Sequence, residues 1–234
     1  MLRGRGRLED VNAWRAVAVA CVLATATACT AGPDGPAGPT TGGPAATTGP
    51  APTTAPIGDP LVGRLRSGGL ILYFRHSVTD QSRQDDASPD LSDRTTQRNL
   101  SAAGRRQATA IGEAIRALGI PIGEVLASPY ARAVETGELA FGSGRVSGTR
   151  DLLNEAYPGT DDADLARRLR RRLGQPPPAG QNTVLIGHGF NITEAAGITI
   201  AEGECAVFEP TAGGGFRLVA RVPPDRWSAL ARRS

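Results

Sequence analysis

Two histidines are the residues of this sequence with the clearest capacity for chemistry. The chain has only two, and each follows a run of apolar residues: His76 comes after LILYFR at 70–75, and His188 comes after TVLIG at 183–187. Such runs are typical of buried strands in a parallel sheet. Because open α/β sheets bind their ligands at the carboxyl ends of the strands, we expect both imidazoles at one sheet edge. There they could bind a metal, assist a serine nucleophile or accept a phosphoryl group.

The other residues favour phosphoryl transfer. A metal site needs three or four ligands, and the chain has no third histidine or close cysteine pair, although carboxylates at 80–93 could complete one. No G-x-S-x-G motif marks a serine nucleophile, and Thr211 stands where a cysteine phosphatase built on Cys205 would need an arginine. Arg75 and Arg132 can instead bind phosphate with their guanidinium groups. We therefore predict a phosphate pocket without a metal.

Strands and helices that could position these groups alternate along the chain. The apolar spacing from Ser101, a predicted N-cap, indicates an amphipathic helix, and the polar segment 77–99 is a long loop that we interpret as one rim of a substrate site. This alternation predicts an α/β fold, a three-layer α/β/α sandwich with a mostly parallel central sheet. The predicted elements are strands 70–74, 124–127 and 183–187, helices 101–118, 130–139, 161–173 and 191–196, a hairpin of 204–209 with 216–222, and a last helix from 224, with 142–160 irregular.

Composition divides the chain into three parts. Residues 1–28 are basic and then apolar, as in a secretory signal peptide, and residues 29–60 are rich in Gly, Pro, Thr and Ala, as in a disordered tether. The predicted folded domain is 61–234. The net charge of +3 is modest, so we expect no nucleic-acid partner.

The residues before Cys29, Ala-Thr-Ala, resemble the bacterial lipoprotein signal, in which the cysteine is lipidated. We therefore predict export, with a lipid anchor at Cys29 that holds the protein on the outer face of the cell membrane, or otherwise secretion. Ordinary cleavage nearby and an uncleaved anchor are the alternatives. Cys205, the cysteine outside the leader region, is predicted to be a packed, unpaired thiol.

Four motifs together resemble the histidine phosphatase superfamily, which includes the cofactor-dependent phosphoglycerate mutases. They occur in the order and spacing of that family, between residues 70 and 197. The motifs are Arg75-His76-Ser77 with Thr79, LSAAGRRQATAIGEAI from Leu100, SPYARAVET at Ser128–Thr136 and IGHG at Ile186–Gly189.

This resemblance implies a role for each matched residue. His76 would be the nucleophile that becomes phosphohistidine, and Arg75, Arg132, His188 and Thr79 would bind the transferred group. A carboxylic acid would protonate the leaving alcohol; we predict Glu155, with Glu194 and Asp80 as alternatives.

The activity implied is that of a phosphomonoesterase of the histidine acid phosphatase type, acting on a small phosphorylated substrate without a cofactor. Most of the long insertions of the mutases are missing, which favours a phosphatase over a mutase-type phosphotransferase. A catalytically silent module that binds a phosphorylated ligand at the cell envelope is the other alternative.

Overall fold

A computed structural model describes residues 58–233 of the chain. The predicted signal peptide, Cys29 and nearly all of the predicted tether lie outside these residues. Between residues 58 and 233 no helix is long and apolar enough to cross a bilayer.

The strands of the described region form one mixed sheet. Its order is β3-β2-β4-β1-β5-β6, in which β3, β2, β4 and β1 run parallel and β5 and β6 form an antiparallel hairpin at one side. The strands are β1 Ile71–Arg75, β2 Ile122–Ala127, β3 Val146–Gly148, β4 Asn182–Gly187, β5 Cys205–Thr211 and β6 Gly215–Val222. The predicted mostly parallel sheet is confirmed.

Helices cover both faces of this sheet. The alternation of side chains along β1 sends Leu72 and Phe74 into one core and Ile71 and Tyr73 into the other. The first core packs against α1, α2, α3 and α6, and the second packs against α4 and α5, which confirms the three-layer α/β/α sandwich. The helices are α1 Asp59–Ser67, α2 Ala102–Ala117, α3 Ala131–Phe141, α4 Asp162–Leu173, α5 Gly189–Ala196 and α6 Pro224–Ala231.

Local signals predicted most element boundaries to within a few residues. The Ser101 hydroxyl accepts a hydrogen bond from the Gly104 amide at 3.0 Å, and the Asp161 side chain caps α4 in the same way. The segment 142–160 differs from its prediction, because it contains the three-residue edge strand β3. So short a strand, with one apolar residue, leaves no alternating pattern in the sequence.

Hydrogen bonds join the carboxyl ends of the central strands, where the histidines follow. The Tyr73 hydroxyl donates to the His188 carbonyl oxygen at 2.8 Å, and the His76 amide donates to the Gly187 carbonyl oxygen at 3.0 Å. A Cβ on Gly187 would lie 2.3 Å from the Tyr73 hydroxyl oxygen, so a larger residue would push the two strand ends apart. This packing determines the distance between the two imidazoles.

Candidate active site

His76 lies just beyond β1, and its ring is buried. Its Nδ1 lies 2.9 Å from the Ser77 carbonyl oxygen. Since a carbonyl oxygen can only accept, Nδ1 holds the proton and Nε2 keeps its lone pair. Burial, with the positive charge of Arg132, lowers the pKa of His76 to about 3. The ring is therefore neutral near pH 7 and has one nitrogen free for nucleophilic attack.

His188 lies just beyond β4, at the start of α5. Its ring centroid is 5.4 Å from that of His76, and its Nε2 lies 2.8 Å from the Ser128 hydroxyl oxygen. Burial, with the charge of Arg132, lowers the pKa of His188 well below its ordinary value. Its Nδ1 is buried and has no hydrogen-bond partner.

Arginines surround the two imidazoles. The Arg132 guanidinium is buried, lies 4.3 Å from the centroid of the Tyr130 ring, and pairs with Asp85 at 2.9 Å. Arg75 is the last residue of β1, and Arg98 belongs to the loop 77–99. The Nε atoms of Arg75, Arg98 and Arg132 are all buried without a hydrogen-bond partner. Buried polar groups normally have partners, so these donors indicate a binding site for an anion.

Arg98 was missed in the sequence-based prediction, which treated its loop only as a rim. Its Nη1 donates to the Gln81 side chain at 3.3 Å, and its amide donates to the Asp85 carboxylate at 2.8 Å. Its charge contributes to the lowered pKa of both histidines after the larger effects of burial and Arg132. The sequence contains no signal for this placement, because it depends on the path of an irregular loop.

A cavity of about 340 Å³ opens onto the two histidines. Glu155 is at its wall, and burial raises the pKa of that carboxyl group, whose Oε2 has no hydrogen-bond partner. Phe190 lines the same cavity, and within residues 58–233 it is the one large apolar residue that is exposed to solvent. The lining residues are Arg75, His76, Arg98, Asn154, Glu155, His188, Gly189, Phe190, Thr193 and Thr199.

The structure therefore brings Arg75, His76, His188 and Glu155 together at one cavity, with Arg132 close behind. A larger cavity of about 480 Å³ lies where β1 and β4 begin, and it contains none of the predicted site residues.

Three other predicted residues lie away from the cavity lining. The Thr79 hydroxyl donates to the Glu202 carboxylate at 2.8 Å, so its proton is not available to a phosphate. Asp80 is exposed, and hydrogen bonds from Ser82 lower its pKa, so it is ionised and a poor acid. Glu194 is exposed on α5. Of the carboxyl groups considered as proton donor, Glu155 alone lines the cavity.

Residues 71–185 match the family model of the histidine phosphatase superfamily (branch 1). This match assigns the matched residues to the histidine phosphatase superfamily and supports phosphatase activity. No curated protein sequence gives a significant match.

Several solved structures resemble the domain in fold. The protein histidine phosphatase SixA complexed with tungstate is 17% identical, with a TM-score of 0.47, over 67% of this chain and 98% of that chain. A mycobacterial glucosyl-3-phosphoglycerate phosphatase is 17% identical, with a TM-score of 0.47, over 64% and 96%. A phosphoserine phosphatase from Entamoeba histolytica is 13% identical, with a TM-score of 0.48, over 66% and 96%.

Proposed function

We propose that this protein hydrolyses phosphate monoesters through a phosphohistidine formed at His76. The observation that supports this most directly is the set of unpartnered arginine donors around a neutral imidazole, the Nε atoms of Arg75, Arg98 and Arg132, with His188 Nδ1 also buried and unpartnered. A phosphoryl group has three non-bridging oxygens that accept strong hydrogen bonds from such donors. The cations also offset the negative charge of the transition state in phosphoryl transfer.

In the first step the Nε2 lone pair of His76 attacks phosphorus in line with the ester oxygen. The N–P bond forms, the P–O ester bond breaks, and Glu155 donates its proton to the departing oxygen. The His76 Nδ1 proton stays in its hydrogen bond to the Ser77 carbonyl. Because burial raises the pKa of Glu155, this carboxyl group stays protonated to higher pH than a free glutamic acid.

In the second step water attacks the phosphohistidine. The P–N bond breaks, its electron pair returns to His76 Nε2, and the Glu155 carboxylate takes the proton from the attacking water. Inorganic phosphate then leaves the cavity, and both residues are back in their starting protonation states. The need for a protonated Glu155 in the first step is consistent with a phosphatase of the acid type.

We also propose that the enzyme acts outside the cytoplasm on a small phosphorylated substrate, held by a lipid at Cys29 or secreted. The basic and apolar halves of residues 1–28 and the small residues before Cys29 support this proposal. Metabolic labelling of expressing cells with a radioactive fatty acid should mark the wild-type protein and leave Cys29→Ala unlabelled. Equal labelling of the two would rule out lipidation at Cys29.

The catalytic proposal is tested with purified full-length protein and p-nitrophenyl phosphate in EDTA. The wild type should turn over, and His76→Ala should lose activity to background while retaining its circular dichroism spectrum. Rapid quenching at alkaline pH, where phosphohistidine survives, should trap labelled phosphate on the wild type alone. Turnover by His76→Ala would refute the proposal. A wild type that binds phosphate but hydrolyses no ester of a broad panel would also refute it, and would favour the silent binding module.

A further inference from the structure

Glu202 places a carboxylate beside the proposed nucleophile. It lies between α5 and β5, and its side chain is 16% exposed. Its Oε1 accepts a hydrogen bond from the Thr79 hydroxyl at 2.8 Å, and lies 3.7 Å from Arg75 Nη2 and 4.0 Å from His76 Nδ1. No other carboxylate in residues 58–233 lies within 4.0 Å of a His76 ring nitrogen.

The turn that contains Glu202 is attached directly to the end of β1. The Gly203 amide donates to the carbonyl oxygens of Arg75 and His76 at 3.2 and 3.0 Å. The Glu204 carboxylate accepts from the Ala201 amide at 2.8 Å on the other side. With Thr79 bound to its carboxylate, the position of Glu202 is set by both backbone and side-chain contacts.

The charge of the His76 ring changes during the proposed reaction. The resting ring is neutral, but when Nε2 bonds to phosphorus the Nδ1 proton remains, and the ring becomes cationic. The neighbouring charges of Arg132, Arg75 and Arg98 oppose that positive charge. A carboxylate 4.0 Å from Nδ1, on a buried ring, is close enough to attract it strongly.

We propose that Glu202 is a positioning residue whose carboxylate stabilises the cationic ring of phosphohistidine at His76. This role rests on the function proposed above. In this arrangement the arginines stabilise the negative phosphoryl oxygens, and Glu202 stabilises the positive imidazole ring that is bonded to phosphorus. The Thr79 hydroxyl, predicted from the sequence to bind phosphate, instead holds this carboxylate.

Glu202→Gln in the full-length protein removes the charge and keeps a group that can accept from Thr79. We expect its kcat for p-nitrophenyl phosphate to fall about 10- to 100-fold, because the variant loses a charge contact that stabilises the transition state. The trapped phosphoenzyme fraction should fall with it. Its affinity for inorganic phosphate should stay equal or rise, because a negative charge near an anion site has been removed.

A purely structural role would give a different result. If Glu202 only anchored Arg75 and Thr79, its loss would weaken phosphate binding and raise KM, with kcat little changed. Glu202→Asp keeps the charge and should recover part of the lost kcat. Glu209→Gln is the matched control, since Glu209 is on β5 and pairs with Arg64 and Arg217 far from the cavity; its kcat should match the wild type.

Thr79→Val gives a second measurement that does not require the Glu202 variant to fold. It removes the hydroxyl that holds the carboxylate, so a smaller fall in kcat with unchanged phosphate affinity is expected.

The proposal is overturned if Glu202→Gln keeps kcat within twofold of the wild type, or if its phosphate affinity falls as much as its kcat/KM. Where Glu202→Gln does not fold, the same two criteria apply to Thr79→Val. A wild type that traps phosphohistidine leaves the proposed function standing in either case. A wild type that traps none overturns both.

Discussion

Acidification from pH 7 to pH 5 should destabilise the fold through its two buried histidines. Both have lowered pKa values in the folded state, so the unfolded chain binds protons near pH 6.5 while the native protein does not. Their contribution to stability is therefore complete above pH 6.5 and is lost as the pH falls toward the folded pKa. For His76 this window extends from 6.5 down to about 3.

The magnitude follows from the size of that window. One pKa unit corresponds to about 1.4 kcal/mol, so protonation of the unfolded chain at pH 5 costs about 2 kcal/mol of stability for His76. His188, whose pKa is also well below its ordinary value, adds to this loss in the same direction. The contribution of His76 alone is a substantial share of the 5–15 kcal/mol typical of a folded domain.

Urea unfolding followed by circular dichroism at pH 7 and pH 5 measures this loss. His76→Asn is the matched variant, because its amide can donate to the Ser77 carbonyl as Nδ1 does, yet it does not titrate. Every other titrating group is shared, so the variant should lose about 2 kcal/mol less than the wild type between the two pH values. Equal losses in the two proteins would show that His76 is not held neutral by the fold.

Three further predictions concern the site and the packing that supports it. Glu155→Gln should lower kcat at least 100-fold for an alkyl phosphate and far less for p-nitrophenyl phosphate, whose leaving group needs no proton; equal losses would refute its role as the acid. Arg98→Gln should raise the inhibition constant for inorganic phosphate about tenfold, as for a lost hydrogen bond to a charged group, and an unchanged constant in a competition assay would refute its place in the site. Gly112→Ala should destabilise the fold by about 1–3 kcal/mol in urea unfolding, because its Cβ would lie 2.0 Å from the Ala140 carbonyl oxygen of α3. The control Gly63→Ala in α1 has nothing within 4 Å of the new Cβ and should stabilise the fold by up to about 1 kcal/mol. Similar changes in the free energy of unfolding of the two variants would contradict this packing.

Much of the fold could be predicted because its signals are local. The apolar run of β4 and the Ser101 cap of α2 depend on a few neighbouring residues, and both are present in the structure where the sequence indicated them. The edge strand β3 was not predicted, since three residues paired with β2 leave too little pattern. Its position comes from a partner strand that is distant in the sequence.

The sequence by itself determined that both histidines follow buried strands at one edge of the sheet, because a run of apolar residues indicates a buried strand. The pairing of β1 with β4, which makes the two histidines neighbours, comes from the tertiary structure. Tertiary structure alone decided which polar residues join them. Arg98 and Glu202 reach the site from irregular segments, and Thr79 binds Glu202 beside His76 instead of lining the cavity. The hydrogen bond between Thr79 and Glu202 joins residues more than one hundred positions apart, and Arg98 is held by hydrogen bonds within an irregular loop. Neither contact leaves a periodic pattern in the sequence.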